Sequence, residues 1–145
     1  MDLLLDENLR VGTSTPLADP CGDYSWQLFD NIEQVYPTQG LRLKQQALQL
    51  VGGSQTSVPI PQGEIASAYL LGKGYADLFI GYAHYQNQLA QNPDLLSIEI
   101  DPAFNPKAIY VAGLLNETPT NQQLFDFLSS TKGQKIIQQN GFGMV

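Results

Sequence analysis

The sequence predicts an α/β fold in which a mostly parallel sheet is flanked by helices. Short apolar stretches with strand character alternate with helical patterns along most of the 145 residues. This alternation is typical of sheets whose strands are joined by helical crossovers. The stretch 76–82 is largely apolar, as expected for a strand covered on both faces of its sheet. The length suits one compact domain rather than two full ones.

The first half of the chain begins with a strand predicted at 9–13, followed by a helix over 20–33. Apolar residues within 47–51 approximate helical spacing, which predicts a second helix that ends at Gly52 and Gly53. The stretch 54–62 holds two prolines, three hydroxyl side chains and no charge, which predicts a loop.

The second half continues the alternation, and each predicted helix has a glycine, proline or hydroxyl residue near one of its ends. The predicted elements are a helix at 64–71, a strand at 76–82, a helix at 85–92, strands at 95–100 and 108–115, and helices at 122–130 and 132–139, capped by Thr120 or Asn121 and by Thr131.

Composition and charge exclude several functional classes. The net charge of −7 and the pI near 4.3 argue against nucleic-acid binding, because the sequence has no Lys or Arg stripe to neutralise phosphates. A small anion is not excluded, because neutral N–H and O–H groups can hold it. No apolar run approaches the roughly 20 residues of a membrane-spanning helix. The single cysteine excludes an internal disulfide.

The start of the first long helix is a candidate oxyanion site. Asp19 is placed as its cap and Pro20 lies in its first turn, and both are standard at a helix start. Its first amides, near Cys21 and Gly22, lack partners inside the helix and lie at the positive end of its dipole. The preceding hydroxyls, including that of Thr15, would add donors, unless they only satisfy the turn.

Asp19 has two alternative roles. A carboxylate repels an oxyanion unless the anion has a metal centre with an open coordination position, such as molybdate or tungstate, to which its oxygen could bind. The simpler role is the helix cap.

Cys21 and His84 raise the alternative of a cysteine-dependent enzyme. The first turn of a helix lowers the pKa of a thiol, and the only histidine follows a strand that could bring it near. No third group can be named to orient the histidine. No spacing of Cys, His and carboxylates matches a zinc site. Tyr82 ends the apolar strand, where its hydroxyl could point into a crevice or into water.

Four segments of the chain resemble the molybdate/tungstate-binding receptors of ABC importers, which belong to the class of two-lobed solute-binding proteins. The most specific match is the strand–Asp-Pro-x-Gly–helix segment at 11–24. Further similarity lies in the stretch 45–53, in the strand 76–82 that delivers a ligand-contacting tyrosine, and in the closing helices at 127–142.

The resemblance implies one lobe of a type II periplasmic-binding-protein-like fold that traps an oxyanion, with no catalysis and no cofactor. It implies an ABC permease as partner and a periplasmic or membrane-anchored extracellular location for the full-length protein. By position, the ligand would meet amides near Cys21, Gly22 and Ile65, and the hydroxyl of Tyr82. Asp19 would supply a carboxylate to molybdate or tungstate, and Glu64 is a candidate for a second one.

The resemblance also predicts a domain organisation. Residues 1–8 would be the remnant of a hinge or preceding helix, 9–115 the second lobe, and 116–145 the C-terminal helices that return to a first lobe. That first lobe, with its hydroxyl ligands and signal peptide, has no counterpart in the sequence. We therefore expect weak oxyanion binding by this chain alone, and an exposed apolar face that favours a homodimer.

Two other functions stay open at this point. Ligand-sensing domains of some transcription regulators share the architecture, although neither end of the chain carries a helix-turn-helix or a basic patch. The cysteine-dependent enzyme is the other. The sequence does not decide between molybdate, tungstate, sulfate and phosphate, since all are tetrahedral and use the same donors.

Overall fold

The computed structural model describes residues 1–53 and 55–143 and has an α/β architecture built on a small parallel sheet. Within those residues the sheet has three strands in the order β2-β1-β3, and β1 is parallel to both neighbours. The strands are β1 (Val11–Ser14), β2 (Leu48–Val51) and β3 (Leu78–Phe79). The predicted α/β class with a mostly parallel sheet is confirmed.

The helices flank this sheet and follow it towards the C-terminus. A single turn of 3-10 helix at Ala83–Tyr85 precedes the fifth of them. They are α1 (Asp2–Leu5), α2 (Pro20–Val35), α3 (Gln39–Gln46), α4 (Ala66–Gly72), α5 (Gln86–Leu89), α6 (Pro119–Ser129) and α7 (Thr131–Gln139).

The core has one cluster on each face of the central strand. Val11 faces α2 and forms a cluster with three buried residues of that helix, Leu28, Phe29 and Ile32. Gly12 points the other way, where an added Cβ would meet Phe79, and that face borders a second cluster with Leu50, Leu70 and Ala76 at its centre. The central strand is therefore covered on both faces, which explains why none of its residues is exposed.

The prediction of a helix that ends at Gly52 and Gly53 is wrong, because residues 48–51 form strand β2. Helix α3 instead begins at Gln39 and ends at Gln46. The apolar residues at 47–51 can be read with either period, and pairing with the edge of β1 decides for the strand. The loop predicted at 54–62 has no helix or strand in its described part, and Ser54 lies outside the described residues.

The strands predicted at 95–100 and 108–115 are also wrong, since neither stretch forms a strand or a helix. Their side chains are largely exposed, including Leu96 at 83%, Val111 at 90% and Leu115 at 97%. A β-strand needs a neighbouring edge to satisfy its backbone groups, and neither stretch pairs with the sheet.

The remaining elements differ from their predicted bounds mainly at their ends. The strand predicted at 76–82 shortens to Leu78–Phe79, and the helix predicted at 85–92 becomes a 3-10 turn followed by α5. Helix α6 begins after Thr118 rather than after Thr120 or Asn121, because the Thr118 hydroxyl accepts from the amide of Asn121. Helix α7 is capped by Ser130, whose hydroxyl accepts from Gly133, and not by Thr131.

The proposed division at 1–8, 9–115 and 116–145 stays a prediction, and residues 144 and 145 lie outside the described residues. No helix in the described part of the chain has the length and apolar character that a membrane span requires.

Candidate functional site

The carboxyl end of β1 and the start of α2 form the candidate site. Asp19 has an extended backbone and caps α2, as predicted, since its Oδ1 accepts from the amide of Cys21 at 2.8 Å. Its carbonyl accepts from the amide of Gly22 at 2.9 Å. The two amides expected to meet an anion are therefore engaged by Asp19, which itself places a carboxylate at the positive end of the helix dipole.

Glycines bring three chain segments into close contact around this turn. A Cβ on Gly22 would lie 2.4 Å from the carbonyl carbon of Thr15. Gly52 has a φ of +80°, and a Cβ there would lie 2.8 Å from the Cβ of Asp19. A Cβ on Gly53 would lie 2.6 Å from the hydroxyl oxygen of Thr15. A residue with a Cβ at any of these three positions would require a shift of the backbone, of Asp19 or of Thr15.

Hydroxyl groups near the end of β1 are buried without hydrogen-bond partners. Thr13 is fully buried, and neither its hydroxyl nor that of Thr15 makes a hydrogen bond in the described structure. A buried hydroxyl without a partner is costly, so such groups need an explanation. In contrast, the buried hydroxyl of Ser25 donates to the carbonyl of Cys21 at 2.8 Å. Thr13 and Thr15 thus hold buried hydroxyls whose hydrogen-bonding capacity is unused within the described residues.

Cys21 is a buried thiol that lies against the end of the third strand. Its Sγ is 3.7 Å from the carbonyl oxygen of Ile80, and the residue is 6% exposed. Burial, with a smaller contribution from the charge of Asp19, raises the pKa of Cys21 to about 11. The expectation of a lowered pKa is therefore wrong, because desolvation and the Asp19 carboxylate both disfavour the thiolate.

Tyr82 follows β3 and lies near the start of α2. Burial is the main cause that raises its pKa well above the ordinary value, and the nearby Cys21 and Asp19 raise it further. The structure therefore brings Asp19, Cys21, Gly22 and Tyr82 into one region, with Thr15 beside them.

Tyr82 belongs to a group of aromatic rings drawn from four segments of the chain. Its ring centroid lies 6.4 Å from that of Tyr24, 5.9 Å from that of Tyr110 and 5.5 Å from that of His84. Phe142 stacks on His84 at 4.5 Å and meets Tyr110 edge-on at 5.2 Å. The sequence did not single out Tyr24, Tyr110 or Phe142, since they are far apart in the chain.

His84 makes aromatic contacts rather than a pair with the thiol. Desolvation lowers its pKa, and no hydrogen bond or ion pair of the imidazole is present in the described part of the chain. A Cys21–His84 nucleophile and base therefore lacks the direct contact that such a pair needs.

Ile65 and Glu64 lie at the start of the short helix α4. Ile65 is its N-cap residue, with no side-chain cap, and Glu64 is exposed. Among the described residues, no hydrogen bond joins Glu64 to the Asp19 region, and no group of three or more His, Cys, Asp or Glu could hold a metal ion. Their roles in ligand binding stay predictions.

Comparison with known proteins supplies the family. A family profile described as bacterial extracellular solute-binding protein matches residues 1–143. The chain is also 41% identical over 143 residues to the uncharacterized protein PM1146 of Pasteurella multocida (strain Pm70), covering 98% of this chain and 58% of that relative. The chain thus spans well under two thirds of the relative's length. No solved structure matches the chain.

The fold is that of one α/β lobe, with the candidate site at the carboxyl end of its central strand. This chain belongs to the bacterial extracellular solute-binding protein family.

Proposed function

We propose that this lobe contributes to the capture of a tetrahedral oxyanion, with molybdate or tungstate as the preferred ligand, for an ABC importer. The observation that supports it best is the set of buried hydroxyls without partners, Thr13 and Thr15, beside the capped start of α2. Neutral hydroxyl donors in a water-excluded site suit an anion because they supply hydrogen bonds without a fixed countercharge.

Tyr82 would supply a further donor from the segment that follows β3. Its phenol is protonated at neutral pH, and burial, which raises its pKa, disfavours the phenolate further. A neutral O–H near Cys21 and Asp19 can donate to an oxygen of the ligand, which is a charge-assisted hydrogen bond. The thiol of Cys21 also stays protonated and would line the site without repelling an anion.

The carboxylate of Asp19 would determine which oxyanion the site prefers. Its Oδ1 is engaged by the Cys21 amide, and no hydrogen bond of its Oδ2 is present in the described structure. A free carboxylate oxygen repels sulfate but can coordinate the metal centre of molybdate or tungstate. Glu64 would be a second carboxylate only if α4 approached the site, and Ile65 would contribute its amide under the same condition.

The whole receptor would close a second lobe over this edge and signal occupancy to a permease. The stretches 95–100 and 108–115 are apolar, unpaired and exposed here, as expected for segments that meet another lobe. Without that partner we expect weak binding, and a homodimer through the same face. Binding of a solute outside the cytoplasm requires no catalytic step.

Calorimetric titration with molybdate, tungstate and sulfate tests the proposal. We expect heat with molybdate and tungstate but not with sulfate, and a roughly ten-fold or greater loss of affinity in Tyr82→Phe, since a charge-assisted hydrogen bond contributes about 1.5–3 kcal/mol. Tyr36→Phe is the matched control, because Tyr36 packs on Phe104 at the far end of α2.

Two results would contradict the proposal. Equal affinities of Tyr82→Phe and the unmodified protein would remove Tyr82 from the site. Absence of binding by any of the three anions, both to this chain and to the full-length receptor, would remove the oxyanion itself.

A further inference from the structure

The turn between β1 and α2 contains a residue with a strained backbone, Leu17. Its φ is +65°, in the left-handed region that residues with a Cβ rarely adopt, and its side chain is 98% exposed. Packing of the side chain therefore does not offset the strain. The amide of Leu17 instead donates to Oδ1 of Asp23, in the first turn of α2, at 2.8 Å. A strained conformation persists where its surroundings hold it in this way.

A second strained residue shows the same arrangement at the other end of α2. Among the described residues, Leu17 and Thr38 are those other than glycine with a positive φ, and the φ of Thr38 is +74°. The amide of Thr38 donates to Oε1 of Glu33 at 2.8 Å. Each left-handed residue is thus held through its amide by a carboxylate of α2.

The turn that Asp23 holds carries two groups of the candidate site. The carbonyl of Thr15, where the turn begins, accepts from the amide of Ala18 at 3.3 Å and from that of Asp19, where it ends, at 3.0 Å. Leu17 lies between them, so a change of its φ would redirect the chain. The relative positions of the Thr15 hydroxyl and the Asp19 carboxylate therefore depend on the backbone of Leu17.

We propose that Asp23 is a positioning residue, whose hydrogen bond to the Leu17 amide keeps the turn 15–19 in the conformation that binds the oxyanion. This inference rests on the proposed function. Asp23 acts through Leu17 rather than on the ligand, and its own negative charge would repel an anion. Loss of the charge and loss of the hydrogen bond should therefore change the affinity in opposite directions.

Two neutral substitutions of Asp23 separate these effects in calorimetry with molybdate. Asp23→Asn keeps an acceptor oxygen, whereas Asp23→Ala removes it, and neither carries the charge. We expect about a five-fold lower affinity in Asp23→Ala than in Asp23→Asn, as for one hydrogen bond. Equal affinities of the two variants would overturn the proposal.

Glu33→Ala is the matched control, because it removes the corresponding contact at the far end of α2. We expect this variant to keep the affinity of the unmodified protein. A loss in Glu33→Ala as large as that in Asp23→Ala would overturn the proposal, since the effect would then be one of general stability.

A substitution at Leu17 tests the link to backbone strain. Glycine adopts a positive φ without strain, and the exposed Leu17 side chain has little packing to lose. We therefore expect Leu17→Gly to restore most of the affinity that Asp23→Ala loses. Failure of this rescue would contradict the role of Asp23 in holding the left-handed turn.

Amide exchange without ligand separates this inference from the proposed function. NMR follows the amide of Leu17, whose exchange should be faster in Asp23→Ala than in Asp23→Asn, because only the Ala variant lacks the acceptor. Equal exchange rates in these two variants would exclude the proposed hydrogen bond even if molybdate binds. A faster rate in Asp23→Ala, without binding of any oxyanion to the unmodified protein, would support the hydrogen bond and contradict the proposed ligand.

Discussion

At the scale of single residues, burial decides the chemistry of the start of α2. Cys21 stands where a helix dipole normally favours a thiolate, yet only 6% of the residue is exposed and Asp19 adds a negative charge nearby. Thr13 is also fully buried, and its hydroxyl makes no hydrogen bond to another described residue. Both groups are neutral at physiological pH, and this neutrality suits a site for an anion.

The thiol of Cys21 should react slowly. With a pKa raised to about 11, only a very small fraction is thiolate at pH 7.5. Alkylation by iodoacetamide should therefore be far slower in the native protein than in the urea-unfolded chain, and its rate should still rise with pH above 9. Rapid labelling of the folded protein at neutral pH would contradict this and revive the cysteine-dependent enzyme.

Thr13→Val should not destabilise the protein. The substitution keeps the shape of the side chain and removes a buried hydroxyl that has no partner, so the free energy of unfolding should stay equal or rise by about 1 kcal/mol. Ser25→Ala is the matched control and should cost about 1 kcal/mol, because it removes a buried hydrogen bond to the Cys21 carbonyl. Urea denaturation measures both. A clear loss of stability in Thr13→Val would show that its hydroxyl is already satisfied.

At the scale of elements, a polar clamp holds the strands together at the edge opposite the candidate site. The backbone amide and guanidinium of Arg10, just before β1, donate to the carboxylate of Asp77, just before β3, at 2.8–2.9 Å. The guanidinium also donates to the carbonyl of Gly74. This clamp fixes the register of two short strands that share few ladder bonds.

Acid should weaken this clamp over a defined pH range. The hydrogen bonds from Arg10 lower the pKa of Asp77 from 3.8 to about 2, so the carboxylate is favoured in the folded state. Its contribution is fully present above pH 3.8 and is lost as the pH falls towards 2. The difference in melting temperature between the unmodified protein and Asp77→Asn should therefore be constant from pH 7 to about 5 and shrink below pH 4. Asp94→Asn serves as the surface control, and a difference that is as large at pH 2.5 as at pH 7 would contradict the assignment.

At the scale of the whole molecule, stability is concentrated in the first half of the chain. Nearly all buried apolar residues lie on β1, α2, α3, β2 and α4 or next to β3, and Phe104 is the exception within the described residues. Helices α6 and α7 pack mainly on each other, and their apolar residues Leu124 and Ile136 are largely exposed. Regions with few buried contacts open most readily.

The rates of amide hydrogen exchange should differ between the buried first half of the chain and the segments that have few buried contacts. Amides of Leu28, Phe29 and Ile32 in α2 should exchange slowest, whereas most amides at 95–100 and 108–115 should exchange within the dead time of the experiment, because they have no ladder partners. Mass spectrometry of peptic fragments resolves these segments. Protection at 108–115 equal to that of α2 would show that this stretch is covered, for instance by a second copy of the chain, and a concentration series would reveal such a dimer.

Local chemistry allowed the sequence to determine the class of fold, the cap at Asp19 and the long helix after it, and the resemblance gave the broad class of solute-binding proteins. A capping carboxylate, a first-turn proline and an amphipathic pattern act within a few residues of each other. Tertiary structure decided what depends on distant partners. Residues 48–51 became a strand because β1 offered an edge, and 95–100 and 108–115 did not because no edge reached them. The raised pKa of Cys21 and the placement of Tyr110 beside Tyr82 arise from burial and from contacts between distant segments, neither of which residue spacing encodes.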